Sequence, residues 1–265
     1  MNLNLSAGWM LVRRTWASWL QSRSFFYILA FGWMVGPLIY LFVWSTAAGG
    51  ETINGWSRGE FVAYYLILIN VSQLTVSQAT WTVGMMIQMG SMNTLLLYPM
   101  PPLYDAIASE VAGKVVYMTF VIPVTAALAL WLRPELSPTL AEMGLFGVTL
   151  ALAWALRFFS GYALALLAFW WTRADALVGL QESLIFVLAG QIAPTALLPG
   201  ALGTLAVWLP FRYMLGFPVE ILMGQLTPTE LAQGFGLQLA WLAVALAASR
   251  WMWQQGVRRY VAVGG

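Results

Sequence analysis

Between Ser24 and Gly50 the chain has no Asp, Glu, Lys or Arg, and almost every residue is apolar or small. A helix crossing the roughly 30 Å hydrocarbon layer of a bilayer needs about 20 such residues, so this run is long enough to cross. Five more apolar segments follow it, and six transmembrane helices are predicted at about 25–48, 61–86, 111–132, 143–171, 176–198 and 236–253. Composition agrees: 61% of residues are hydrophobic and 8% charged, where a water-soluble domain carries about 25% charged residues. So few charges cannot solvate a surface of this size. The fold class expected is an all-α membrane protein, with residues 1–23 leading into a six-helix transmembrane unit over 24–265. The first apolar run is too long for a cleavable signal and lacks a small-residue cleavage pattern, so it is expected to stay as an anchor.

Orientation follows from Lys and Arg, which are retained on the cytoplasmic side. With the N-terminus inside, that side holds Arg13, Arg14, Arg23, Lys114, Arg173, Arg250, Arg258 and Arg259, against Arg58, Arg133 and Arg212 outside. Both termini are therefore expected in the cytoplasm.

Three segments between the spans depart from plain loops. The lead, about 5–22, mixes Trp9, Leu11, Val12, Trp16 and Trp19 with Arg13 and Arg14 at helical spacing, and reads as an interfacial helix. The connection 88–114 carries Leu95, Leu96 and Leu97 and then Pro99, Pro101 and Pro102, an apolar cluster beside a rigid, non-helical corner. Such a cluster meets a partner protein or folds back onto its own helices. The third segment, 194–230, is apolar but broken by Pro194, Pro199, Pro210, Pro218 and Pro228. Non-helical backbone at membrane depth needs protein or a water cavity to cover it. The expectation is a re-entrant hairpin over 194–208 and a short interfacial helix over 211–223; a hydrophobic cap on the outer leaflet is the other reading.

Several chemistries are excluded by residue type. The chain has no Cys and no His, which removes thiol nucleophiles, the commonest general base and the usual transition-metal ligands. Its two aspartates, Asp105 and Asp175, lie far apart in sequence, unlike paired-aspartate chemistry. The one Gly-Lys pair, Gly113-Lys114, is followed by Val115 and lacks the preceding glycine of a phosphate loop. No metal or cofactor is expected in this chain. Its basic residues are few and dispersed, so no nucleic-acid partner is expected either.

Charged and polar groups inside the spans are the remaining functional candidates. Arg157 and Glu182 sit about 21 Å and about 10 Å from the cytoplasmic end at 1.5 Å per residue, so a direct pair between them requires tilt or a water. Such a pair either fixes helix packing or handles substrate or protons. Span two carries a polar run that includes Asn70, Gln73, Ser77 and Gln78, which either lines a pathway or joins helices.

The chain resembles the permease subunits of ATP-binding-cassette exporters of the ABC-2 class. Three stretches carry the resemblance: 88–102; Leu209-Pro210-Phe211-Arg212-Tyr213 with Phe217-Pro218-Val219-Glu220 and Gly224; and Arg258-Arg259-Tyr260 with the tail 262–265. The first departs from the family's habit in having neutral Met92, Asn93 and Tyr98 around the Leu-rich run. The resemblance implies a six-helix half-transporter of a bacterial inner membrane, with a coupling helix between spans two and three and a re-entrant hairpin between spans five and six. It implies a cytoplasmic ATPase dimer holding ATP and magnesium, contacted through residues 95–102, and a second permease, identical or homologous. Pro210, Arg212, Tyr213, Pro218 and Glu220 would shape the outer hairpin. The weakly ionic walls predict an amphipathic or lipid-like substrate, which the resemblance implies is moved outward, with membrane lipid as a further partner. The alternative is an ion-coupled secondary transporter, for which the chain has one acid within a span and no evident inverted repeat.

Overall fold

The structure is a computed structural model and describes residues 9–10, 12–13, 15–17 and 23–260. Most of the predicted interfacial helix and the tail 262–265 lie outside the described residues. The described positions of the lead are helical, with Trp9 and Trp16 exposed. The chain is all-helical, with no strand among the described residues. The helices in chain order are α1 Arg23–Ala47, α2 Arg58–Thr75, α3 Ala79–Gln88, α4 Met92–Leu96, α5 Pro102–Leu132, α6 Leu140–Leu166, α7 Ala174–Leu188, α8 Gly200–Trp208, α9 Phe211–Met214, α10 Gly216–Leu222 and α11 Pro228–Val257.

Five stretches are long and apolar enough to cross a membrane: Ser24–Ala47, Arg58–Gln88, Pro102–Leu132, Leu140–Phe169 and Pro228–Val257. The segment 176–198, expected as one span, is not one helix. Its helix α7 has 15 residues and stops at Leu188, about 22 Å at 1.5 Å per residue and short of a full crossing. The stop has a local cause. Gly190 adopts φ +88°, and a Cβ there would collide with the Tyr64 hydroxyl, so the chain turns where a side chain would not fit.

Three helices start with the same device. Ser57 and Glu60 at α2, Thr139 and Glu142 at α6, and Thr227 and Glu230 at α11 each form a reciprocal capping box, which satisfies orphan amides at the helix start and contributes about 1 kcal/mol. These starts share one end of the bundle. Ser57 and Gly59 hydrogen-bond Glu135 after α5, and Gly224, just before α11, lies against Glu142. At the opposite end the Phe169 ring meets Trp253 and Tyr260.

Helix α6 is the hub, packing on α2, α3, α7, α9, α10 and α11, while α1, α2 and α5 form a second group around α2. Between spanning helices there is little hydrophobic drive, so close backbone approach matters more than apolar area. Gly234 makes room of another kind: the Phe217 ring of α10 occupies the space its Cβ would need on α11. The core beneath holds Phe61, Tyr64, Tyr65, Tyr213 and Phe217, all essentially inaccessible.

Candidate functional site

The predicted second span is interrupted. Helix α2 ends at Thr75 and α3 begins at Ala79, leaving carbonyls at one helix end and amides at the other without intrahelical partners. Two charges from α5 close both ends. The Glu110 carboxylate accepts from the Ala79 N–H at 2.7 Å and from the Ser77 hydroxyl at 3.1 Å. Lys114 donates to the Val76 carbonyl at 2.8 Å and to Glu110 at 2.6 Å. A carboxylate thus meets a helix N-terminus and an ammonium a helix C-terminus, each complementing the local dipole. Both side chains are buried or nearly so.

Arg157 reaches the same break from α6. Its Nη1 donates to Thr75 Oγ1 at 3.1 Å, and its Nη2 lies 2.5 Å from Glu182 Oε2 with Nε 3.4 Å from Oε1. Arg157 and Glu182 therefore pair directly, without a bridging water. Burial is unequal: the arginine side chain is 3% exposed and the glutamate 32%.

Beyond α3 the chain turns at Gly90 into α4 and then the proline corner. Leu95 is half-buried, Leu96 is exposed and Leu97 is 86% exposed. Pro99 is exposed, Pro101 half-buried and Pro102 buried, where it opens α5. A cavity of ≈ 250 Å³ lies between α3 and α5, lined by Gln78, Asp105, Glu110 and Lys114 among others. A second, of ≈ 500 Å³, lies under residues 98–102. The two share Met86, Leu95, Pro102 and Asp105 as walls.

The four polar residues predicted for a pathway all hold partners within the chain. Asn70 donates to the Leu66 carbonyl at 2.8 Å and to Thr125 at 3.2 Å, and Gln73 donates to the Ala30 carbonyl at 3.1 Å. Ser77 is taken by Glu110, and Gln78 accepts from Tyr117 at 2.8 Å. They tie α2 and α3 to α1 and α5. Of the four, Gln78 also lines a cavity.

The structure pairs two of the five outer-hairpin residues directly. Arg212 forks onto Glu220, with Nη2 at 2.5 Å and Nε at 3.0 Å from Oε2, and the Thr195 hydroxyl donates to the same carboxylate. The Tyr213 hydroxyl donates to the Val207 carbonyl at 2.6 Å. Pro210 precedes α9, and Pro218 is buried within α10. The carbonyls left free where α7 stops are taken up from the neighbouring helices. Tyr64 reaches Gly190, and both Tyr65 and Trp44 reach Ile192.

Glu110 and Lys114 fall outside the site residues expected from sequence, since span three is expected to start at about Val111 and Lys114 counts there only among the cytoplasmic basic residues. Two signals were available: the i,i+4 spacing of Glu110 and Lys114, and Pro102 with Asp105 as a helix start.

A family model described as ABC-2 family transporter protein matches residues 31–264. The chain belongs to that family. The match spans all five candidate crossings from Phe31 onward, the helix break and the outer hairpin. The ABC-2 permease is thus a multi-pass membrane subunit of a transporter and not itself an enzyme, and its membership does not favour the secondary carrier. A search of the curated proteins returns no match.

Proposed function

We propose that this ABC-2 permease is half of an ATP-driven exporter that moves an amphipathic or lipid-like substrate outward, with ATP and magnesium held by a cytoplasmic ATPase dimer. A second permease, identical or homologous, completes the pathway. The observation that carries the reading is the exposed Leu96-Leu97 pair, presented on a short helix and backed by three prolines, in a family whose members work with separate ATPases. The end bearing this corner is cytoplasmic, in a bacterial inner membrane with both termini inside. The outer segment 190–224 dips into the outer leaflet, and α7 with that segment serves as a sixth, broken crossing.

Leu97 barely touches its own chain, so Leu97→Asp is expected to leave folding within about 0.5 kcal/mol. Buried in an interface, the same unpaired carboxylate costs several kcal/mol, a drop in association of about 100-fold or more. The permease is expressed in its native cell and purified through a tag on the permease. Loss of ATPase from a variant that elutes like wild type is expected; equal recovery would remove the corner from the contact.

Orientation is tested by single cysteines in a chain that has none of its own. Thr52→Cys and Ser137→Cys are expected to react with an impermeant maleimide added to sealed cells, and Val257→Cys only after the cells are opened. Ser137 is chosen because its neighbour Thr139 caps α6. Reaction of Val257→Cys in sealed cells would invert the topology.

A further inference from the structure

The two neighbouring cavities beside the helix break share walls, and the charged side chains Glu110 and Lys114 line the smaller one alone while Asp105 lines both. In the smaller one, Glu110 is answered by the Ala79 N–H, the Ser77 hydroxyl and Lys114, and the Lys114 ammonium is in turn occupied by Glu110 and the Val76 carbonyl. Asp105 is different. It lines both cavities, it is half-buried, and among the described residues it forms no ion pair. Among the described residues no cationic side chain answers this carboxylate, which sits in the first turn of α5. Met86, Leu95, Tyr98, Met100 and the prolines of the corner line the same space. An anion would meet Asp105 and Glu110, with the only ammonium among the described lining residues already engaged. A cation with an apolar body finds a carboxylate on the shared wall beside a thioether, aliphatic and tyrosine lining.

We propose that these cavities form a binding site for an amphipathic organic cation, its charge at Asp105 and its apolar body under residues 98–102. The proposal rests on the transport reading and names the substrate class that the site takes. The wall that would hold the ligand, Leu95 through Pro102, is the same segment proposed to meet the ATPase, so occupancy of the site reaches the coupling corner without an intermediary.

The test uses rhodamine 6G, a lipophilic cation, and rhodamine B, which carries the same ring system with a free carboxylate and no net charge. The full-length permease is placed in phosphatidylcholine nanodiscs without an ATPase, and saturable binding is read by fluorescence anisotropy against empty nanodiscs. Rhodamine 6G is expected to bind at least about tenfold more tightly than rhodamine B, since only the cation keeps an unopposed charge for Asp105. Asp105→Asn is expected to erase that difference, and Leu95→Trp, which fills the shared wall, to abolish binding of both dyes. No saturable binding of rhodamine 6G, equal binding of the two dyes to wild type, or an unchanged preference in Asp105→Asn would overturn the site. The dye comparison on wild type decides the matter even if a variant fails to fold. Because binding is measured without an ATPase, a permease that recruits its ATPase but ignores the cation defeats this site alone. One that binds the cation but recruits no ATPase defeats the transport reading instead.

Discussion

Glu182→Leu is expected to lower the thermal unfolding midpoint of the detergent-solubilised permease by on the order of 10 °C, whereas Arg157→Leu combined with Glu182→Leu restores most of it. The single change strands a guanidinium that is 3% exposed and retains only the Thr75 hydroxyl as a partner. Breaking a buried pair from one side costs about 3–5 kcal/mol, while replacing both members with apolar residues is often neutral. Each kcal/mol moves the midpoint of a domain this size by about 2–4 °C. The double variant also separates the two roles open to the pair. Retained transport assigns it to packing, and a folded double variant that does not transport assigns it to translocation.

Glu110→Leu is expected to be as damaging, for a different reason. One carboxylate serves the Ala79 amide, the Ser77 hydroxyl and the Lys114 ammonium, so its loss frees a helix end and leaves a buried cation unpaired at once. The cost is about 3–5 kcal/mol by the same reasoning. Glu110→Gln keeps an oxygen for the Ala79 N–H and surrenders the charge alone, so its midpoint is expected to fall between wild type and Glu110→Leu. Equal destabilisation by the two variants would show that the charge, not the cap, holds the break. Wild-type stability in Glu110→Leu would remove Glu110 from any role in the fold.

How much of this was legible before the structure depends on what hydropathy responds to. Four runs, at 25–48, 111–132, 143–171 and 236–253, each contain a single continuous helix, because nothing in them competes with helical backbone and Pro37 and Pro123 are accommodated inside helices. Their starts were less visible. Helices α5 and α11 begin at Pro102 and Pro228, with Asp105 and Glu230 in their first turns, and those polar turns fall outside an apolar window. The interruption at 76–78 was hidden because the polar run that includes Asn70, Gln73, Ser77 and Gln78 reads as part of one continuous span, and because the residues that stabilise the break, Glu110 and Lys114, come from a distant helix. The end of α7 was hidden in the same way. Gly190 and Pro194 mark it locally, but the hydroxyls of Tyr64 and Tyr65 that satisfy the turned backbone lie more than a hundred residues earlier. Charge pairing was partly legible: Arg157 and Glu182 stood out as ions in apolar runs, and rise along the helix axes alone did not anticipate their direct contact.

The most direct test of the account is to extract the tagged permease from its native membrane in a mild detergent, identify what elutes with it, and assay the eluate for ATP hydrolysis. A nucleotide-binding subunit is expected in stoichiometric amount, with magnesium-dependent hydrolysis that is lost from the eluate when Leu97→Asp replaces wild type, and no flux by the permease alone. A permease that elutes without any ATPase and, reconstituted by itself, carries solute in response to a proton gradient would contradict it.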